Sequence, residues 1–311
     1  MPQPHPIRFL KRYQIDDSAW DERVAQDPSM PIYTMSWYLD AATKAQWHAI
    51  VYGDYEYLLP LPLNFRFFGL PRVVTPPLCQ QLGVLTSSDL PLGGQEEADA
   101  KGRIRAMLSA IPSRYLDTNL KLRLPWIIKG EKSLSRRLNL IIDLSKYDYD
   151  RIHTGYNKSL KKRLRRASRQ YLIEPCEDIT ALIEMYRKEV GLKAGLKPWM
   201  YNRISEIISA CIERKEGQIW KIITPNAEVH ARGFFAGKSR VINLFGSSNA
   251  AGRAGFAMHF LLDRVIAKSA EGGANIFDFE GSQIPGVRQF FESYGPDEEF
   301  YFDYRSSLLK N

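Results

Sequence analysis

The sequence predicts a mixed α/β chain of two domains. Its 311 residues exceed one typical domain of roughly 100–200 residues. The order helix, hairpin, strand, loop, helix, strand also runs through it twice, without residue identity between the copies. The apolar run LNLIIDL (138–144) gives way to the polar SKYDYDRIHTG (145–155), so the boundary is expected near 145–155, dividing 1–150 from 151–311.

In the first half, SWYLDAATKA (36–45) reads as a helix capped by Thr34 or Ser36. Two apolar runs flank Gly53-Asp54, a hairpin signal. Residues 65–74 form a third strand, and TPPLCQQLGVL holds a fourth broken by prolines. Ile104, Met107, Leu108 and Ile111 fall at helical spacing in 95–111, which Pro112 ends. Strands follow at 114–116, 120–128 and 138–144.

The second half opens with a basic helix over 156–171, then helices at 179–190 and 200–213. Strands are expected at 219–224, 229–235 and 241–245, then a loop GSSNAAGRAG and a long helix, 256–270, stopped by Gly272-Gly273. A strand at 275–279, a short helix near 287–293 and a strand at 299–304 close the chain.

Hydrophobic residues are 44% and charged residues 25%, which excludes a disordered chain, a collagen and a small disulfide scaffold. No apolar run approaches the roughly 18–20 residues of a membrane span, and the start lacks the apolar core of a secretory leader. Cys79, Cys176 and Cys211 fit no metal-ligand spacing and point to a reducing compartment, so a cytoplasmic protein without a metal is expected.

The net charge of +8 has one source: residues 151–170 carry eight Lys/Arg and no acid, and outside them the signs balance at 35 each. Tyr156, Leu160, Leu164, Ala167 and Tyr171 form an apolar stripe, with Lys158, Lys161, Lys162, Arg165 and Arg169 on the remaining face. Such a helix packs on its domain and offers charge to a phosphorylated donor, an acidic acceptor or anionic lipid. No aromatic ladder interleaves the charge, so sequence-specific reading of nucleic acid is not expected.

The stretch before the long helix is the first candidate for chemistry. A helix N-terminus with free N–H groups suits a pyrophosphate. Gly252 and Gly255 permit close backbone approach, Arg253 adds charge, and Ala254 and Phe256 complete the candidate donor-binding stretch. The competing reading is that the small residues let the helix pack. Walker A and dinucleotide fingerprints are absent.

Asp278 and Glu280 alternate along FDFEG and are expected on one strand face. Glu280, nearer the open end, is the candidate general base, with Asp278 as orienting or capping partner. Ser282 and Tyr294 are candidate proton donors. His230, expected on one face with Arg232, is a groove candidate, and His259 reads as a packed residue. No Cys–His pair suggests a covalent intermediate.

Four stretches together resemble a known family: NKSLKKRLRRASR, the run INLFGSSNAAGRAG into FAMHFLLDRVIAKSAEGG, FDFEGS, and PGVRQFFESYG. They resemble the FemAB-like branch of the GNAT superfamily of N-acetyltransferases. The resemblance implies two GNAT-like domains, each a twisted mixed sheet flanked by helices, the first having lost its donor loop at 85–94, and a last strand, 299–304, that returns to pair with the first domain. It implies acyl transfer to an amine from acyl-CoA, acyl carrier protein or aminoacyl-tRNA, with no tightly bound cofactor. The cross-bridge enzymes of the family carry Phe-Lys-x-x-Phe-Gly where this chain has Phe290-Phe291-Glu292-Ser293-Tyr294-Gly295. Phe291 stands at the lysine position, and Arg288 is the candidate replacement. A pantetheine thioester is therefore the leading donor. An aminoacyl-tRNA-dependent peptidyltransferase of cell-wall precursors is the alternative. A non-catalytic anion-binding protein using 156–171 is the second.

Overall fold

A computed structural model describes residues 7–66, 70–83, 94–115, 117–124, 134–191, 195–281 and 284–307. The chain divides into two compact units, Met1–Arg137 with Phe300–Asn311, and Leu138–Glu299. The division falls ahead of residue 150, because the run LNLIIDL pairs with a strand of the second unit.

Unit 1 opens with β1 (Ile7–Lys11) and α1 (Asp17–Ala25), neither read from the sequence. Asp16 caps α1 by accepting from the N–H groups of Ser18 and Ala19, and Trp20 and Val24, one turn apart, are the residues it buries. Next come α2 (Ser36–Thr43), β2 (Trp47–Tyr52) and β3 (Tyr57–Arg66). The β2–β3 hairpin turns at Gly53, whose φ of +63° favours glycine. The unit continues with β4 (Leu70–Val74), the two-residue β5 (Leu82–Gly83), α3 (Gly94–Ser109) and β6 (Asp117–Arg123). As expected from helical spacing, Ile104, Met107 and Leu108 are buried on α3.

Unit 2 begins within β7 (Leu134–Asp143) and adds α4 (Tyr149–Gly155) and α5 (Lys158–Ala167). One basic helix was expected over 156–171. Two form instead, because Asn157 caps α5 by accepting from the Leu160 N–H at 2.7 Å. Then follow β8 (Leu172–Cys176), α6 (Ile179–Tyr186) running into a π-helical turn (Arg187–Gly191), and α7 (Pro198–Glu213). β9 (Gly217–Ile223), β10 (Val229–Ala236) and β11 (Arg240–Ser248) form a meander. It leads into α8 (Ala250–Gly255), α9 (Ala257–Glu271), β12 (Ile276–Asp278) and α10 (Pro285–Glu292). The last strand is β13 (Asp297–Ser307), whose residues 302–307 pair antiparallel with β6 in unit 1.

The two units share a strand order. In unit 1, β1, β2, β3 and β4 pair antiparallel in sequence, β4 pairs parallel with β6, and β6 pairs antiparallel with β13. In unit 2, β8 to β11 pair antiparallel in sequence, β11 pairs parallel with β12, and β12 pairs antiparallel with β7. A parallel pair needs a crossover, and a long helix supplies it each time, α3 in unit 1 and α9 in unit 2.

One core of unit 2 lies where α5 and α9 pack on the sheet. Leu160, Leu164, Ala167 and Tyr171 meet Phe260, Leu261 and Val265 there, with Ala231, Phe235 and Phe277 from the strands.

Candidate active site

The site in unit 2 starts from a short pairing. β11 and β12 run parallel for three residues, Arg240↔Ile276, Val241↔Phe277 and Ile242↔Asp278. β11 then continues to Ser248 while β12 stops. Glu280 turns the chain away with φ +54°, in the left-handed region. Across from β10, the register shifts between Phe234 and Phe235, so Leu244 is an extra residue in β11. This leaves a gap beside Asn243–Ser248 of β11, a crevice between the strand ends that no strand fills among the described residues.

A buried polar cluster fixes the corner of the crevice. Arg240, 2% exposed, donates through Nε to Asp278 Oδ2 at 2.8 Å and also ion-pairs with Glu299. Asn139 on β7 donates to Asp278 Oδ1 and to Glu299 Oε2, each at 3.1 Å. The turn hangs from this cluster. The Glu280 N–H donates to Asp278 Oδ1 at 2.8 Å, and the Gly281 N–H donates to Asn139 Oδ1 at 2.7 Å.

The expected alternation of the two acids therefore fails. Asp278 is wholly buried in an ion pair, and Glu280 lies beyond the strand. Their proximity comes from a turn. Sequence reasoning missed Asn139, Arg240 and Glu299, although an arginine opening the apolar run RVINLF is a signal in itself.

The stretch after β11 is built differently from the expected loop. Ser247 and Ser248 finish the strand, Asn249 caps α8 by accepting from the Gly252 N–H at 2.7 Å, and Phe256 at φ +65° divides α8 from α9. A Cβ on Gly252 would run into the His230 carbonyl, and one on Gly255 into the Tyr171 hydroxyl. Close packing thus accounts for both glycines. Arg253 donates to Glu189 at 2.7 Å and to the Ser248 carbonyl at 2.6 Å, while Ala254 is exposed.

The basic helix lies against this junction. Arg163 and Arg166 of α5 sit over the Phe256 ring at 5.4 and 5.6 Å. Arg163 also donates to His259 Nε2 at 3.0 Å. Burial, aided by the Arg163 charge, lowers the His259 imidazole to about 4. Gln170 donates to the Gly255 carbonyl at 3.0 Å. The stripe expected on this helix is the buried one: Tyr156, Leu160, Leu164, Ala167 and Tyr171 are all core. Lys161 donates to the Thr154 carbonyl at 2.8 Å. Among the described residues, no carboxylate pairs with Lys158, Lys162, Arg165, Arg166 or Arg169, all exposed.

The remaining candidates are spread more widely. Tyr294 is 1% exposed, its ring packed among Tyr156, Phe279 and Phe290 and its hydroxyl donating to the His259 carbonyl at 3.0 Å. Burial pushes that hydroxyl well above the usual tyrosine range. His230 falls at a register shift against β9, and its Nδ1 meets the Tyr171 hydroxyl at 3.0 Å instead of lining a groove with Arg232. Arg288 pairs at the surface with Glu292, one helical turn away, at 2.6 Å. Phe291 is buried against Phe279. Ser282 and residues 85–93 lie outside the described residues.

No group of His, Cys, Asp and Glu able to hold a metal occurs among the described residues. None of their helices is long and apolar enough to cross a membrane.

No family model matches this sequence, and no curated protein sequence does. Solved structures do match the fold. FemX is 11% identical, with 96% of this chain and 97% of that chain covered and a TM-score of 0.67. L-PGS from Bacillus licheniformis is 13% identical, with 94% of this chain and 92% of that one covered and a TM-score of 0.53. Saccharomyces cerevisiae N-myristoyltransferase with bound myristoyl-CoA is 9% identical, with 98% of this chain and 80% of that one covered and a TM-score of 0.50. The chain thus shares the mixed α+β fold of these three structures, and its second repeat is the one whose parallel strands part.

Proposed function

We propose that this protein is a GNAT-type acyltransferase that moves an acyl group from a pantetheine thioester to an amine. The observation that carries the proposal is the parting of β11 and β12 directly ahead of the α8–α9 junction. A thioester threaded along the free edge of β11 finds unpaired backbone groups there, and its phosphates find Arg253 and the N-terminus of α9. The likeness to an N-myristoyltransferase solved with myristoyl-CoA supports this donor class.

In this reading the amine attacks the carbonyl carbon. The C–S bond breaks as the tetrahedral adduct collapses, and the sulfur leaves as a thiol carrying the proton that Glu280 has taken from the amine. Glu280, at the mouth of the crevice, takes the proton from the attacking amine, and Asp278 holds the turn that carries it. Tyr294 shapes the wall beneath.

A second reading, an aminoacyl-tRNA donor, is favoured by the unpaired cations of α5 and by the likeness to FemX.

A thermal-shift series with acyl-CoAs, acylated carrier protein and aminoacyl-tRNA separates the readings, since a ligand of the folded state raises its melting point. A rise with thioesters is the expected result. A rise with aminoacyl-tRNA alone selects the second reading. A response to heparin with none to any donor leaves a non-catalytic anion binder and overturns both. With a donor in hand, Glu280→Gln should lower turnover by about 10²–10⁴ at neutral pH, with partial recovery at higher pH. Wild-type turnover in that variant removes Glu280 as the base.

A further inference from the structure

One polar row crosses the sheet of unit 2. Glu174 of β8 is opposite Lys221 of β9, Lys221 is opposite Arg232 of β10, and Arg232 is opposite Ser247 of β11. Direct partners on neighbouring strands share a face, so these four side chains stand on one side. It is the side covered by α6, where Tyr186 stacks on Phe245 at 3.8 Å. The outer half of the row is neutral in itself, because Lys221 pairs with Glu174 at 3.1 Å.

The inner half is incomplete. Arg232 makes no ion pair among the described residues, and its Nε is buried without an acceptor. Ser247 is 4% exposed, and its Oγ is likewise buried without a partner. The two do not satisfy each other, although they sit directly opposite. A partly buried cation with no anion is unfavourable unless something completes it. Ser247 also lies on the segment of β11 beyond its last pairing with β12, so the unsatisfied pair stands beside the gap between the two strands. A planar guanidinium fork beside a hydroxyl matches the oxygens of a carboxylate or phosphate.

We propose that Arg232 and Ser247 form a subsite for an oxyanion, a carboxylate or phosphate group carried by one of the two substrates. The proposal rests on the transferase reading above and narrows it: either the acceptor amine also bears an acidic group, or the donor places a phosphate on this face. Arg253 and α9 then serve a different part of the donor.

The test uses the full chain with sodium phosphate and sodium acetate as probes, ionic strength held with chloride. Anions that gather on α5 stabilise wild type and variants alike, so the readout is the difference between them. Arg232→Met keeps the aliphatic stem and removes the fork, and Ser247→Ala removes the hydroxyl. In chloride alone, Arg232→Met should melt no lower than wild type, because an unneutralised charge has gone. Its apparent affinity for at least one probe should fall about 10-fold or more, and that of Ser247→Ala by less. Equal probe affinity in wild type and Arg232→Met, or no response in wild type, overturns the subsite whatever donor the protein takes.

Calorimetry with coenzyme A then identifies the source. A matching loss of coenzyme A affinity in Arg232→Met assigns the anion to the donor's phosphates. Unchanged coenzyme A affinity with lost probe binding assigns it to a carboxylate of the acceptor. Failure of every donor to bind wild type, with the probe difference intact, counts against the transferase and not against the subsite.

Discussion

In unit 1, β4 and β6 run parallel at Val73↔Thr118 and Val74↔Asn119, and β5 then takes up the same edge of β6 at Leu82↔Leu122 and Gly83↔Arg123. In unit 2, β11 and β12 run parallel for three residues and nothing follows on that edge of β11 among the described residues. At the same step of the strand order, the longer strand's edge is taken up in unit 1, where that strand is β6, and left without a strand in unit 2, where it is β11. The closing piece is two residues long and comes from the stretch TPPLCQQLG, which carries the chain forward beside β6. A strand order alone does not make a site. The candidate site lies where a paired edge is left unfilled.

Each junction also has an arginine–aspartate pair, and the two differ in burial. Arg240 and Asp278 have wholly buried side chains. Arg72 and Asp117, across β4 and β6, are 30% and 27% exposed. Removing one partner of a buried pair strands the other charge, whereas an exposed partner is hydrated.

The largest expected effect follows from that contrast. Asp278→Ala leaves Arg240 buried with Glu299 alone and removes the acceptor of the Glu280 N–H. It should lower the stability of unit 2 by about 3–5 kcal/mol, read from urea unfolding. A loss below about 1 kcal/mol would show that the cluster does not hold the junction.

The next effect belongs to the crossover helices. α9 carries the half-buried His259, and α3 holds no histidine. His259 titrates at about 4 in the folded chain, against about 6.5 when unfolded. The unfolded chain thus takes up a proton between those values that the folded chain refuses. Stability is full above about pH 6.5 and falls as pH drops towards 4, by up to about 3 kcal/mol. Burial lowers His48 of unit 1 as well, with the same sign. His259→Asn should flatten the acid limb of a stability–pH curve. An unchanged limb would place the acid sensitivity elsewhere.

Local periodicity made much of the fold legible. The stripe Tyr156, Leu160, Leu164, Ala167, Tyr171 announced a packed helix, and Gly53 announced the hairpin. β1 and α1 were illegible because α1 buries two residues, too few to set a period. The candidate site was legible as a neighbourhood but not as a mechanism of assembly. Asn139 lies 139 positions from Asp278, and no local pattern records such a contact. The left-handed turn at Glu280 hid for the same reason, since it is held by Asn139 and Asp278 and not by its own sequence. Gly252 and Gly255 drew attention as phosphate-binding glycines, yet the atoms beside them are His230 and Tyr171.

The smallest expected effect is the control that gives the comparison its meaning. Asp117→Ala removes the partner of Arg72 at the junction of unit 1, in the same place in the strand order as the pair of unit 2. Both side chains reach solvent, so water replaces the lost carboxylate and salt already screens the pair. The pairing raises the Arg72 guanidinium above its ordinary range, Asp117 being the main cause, but an exposed pair is worth at most about 1 kcal/mol. The variant should therefore lose less than about 1 kcal/mol in urea unfolding, and the loss should shrink further at high salt. β5 would still close the edge of β6 through Leu82 and Gly83. If Asp117→Ala instead matched Asp278→Ala, burial would not be what separates the junctions. The open crevice would then owe its corner to the strand order that both units share.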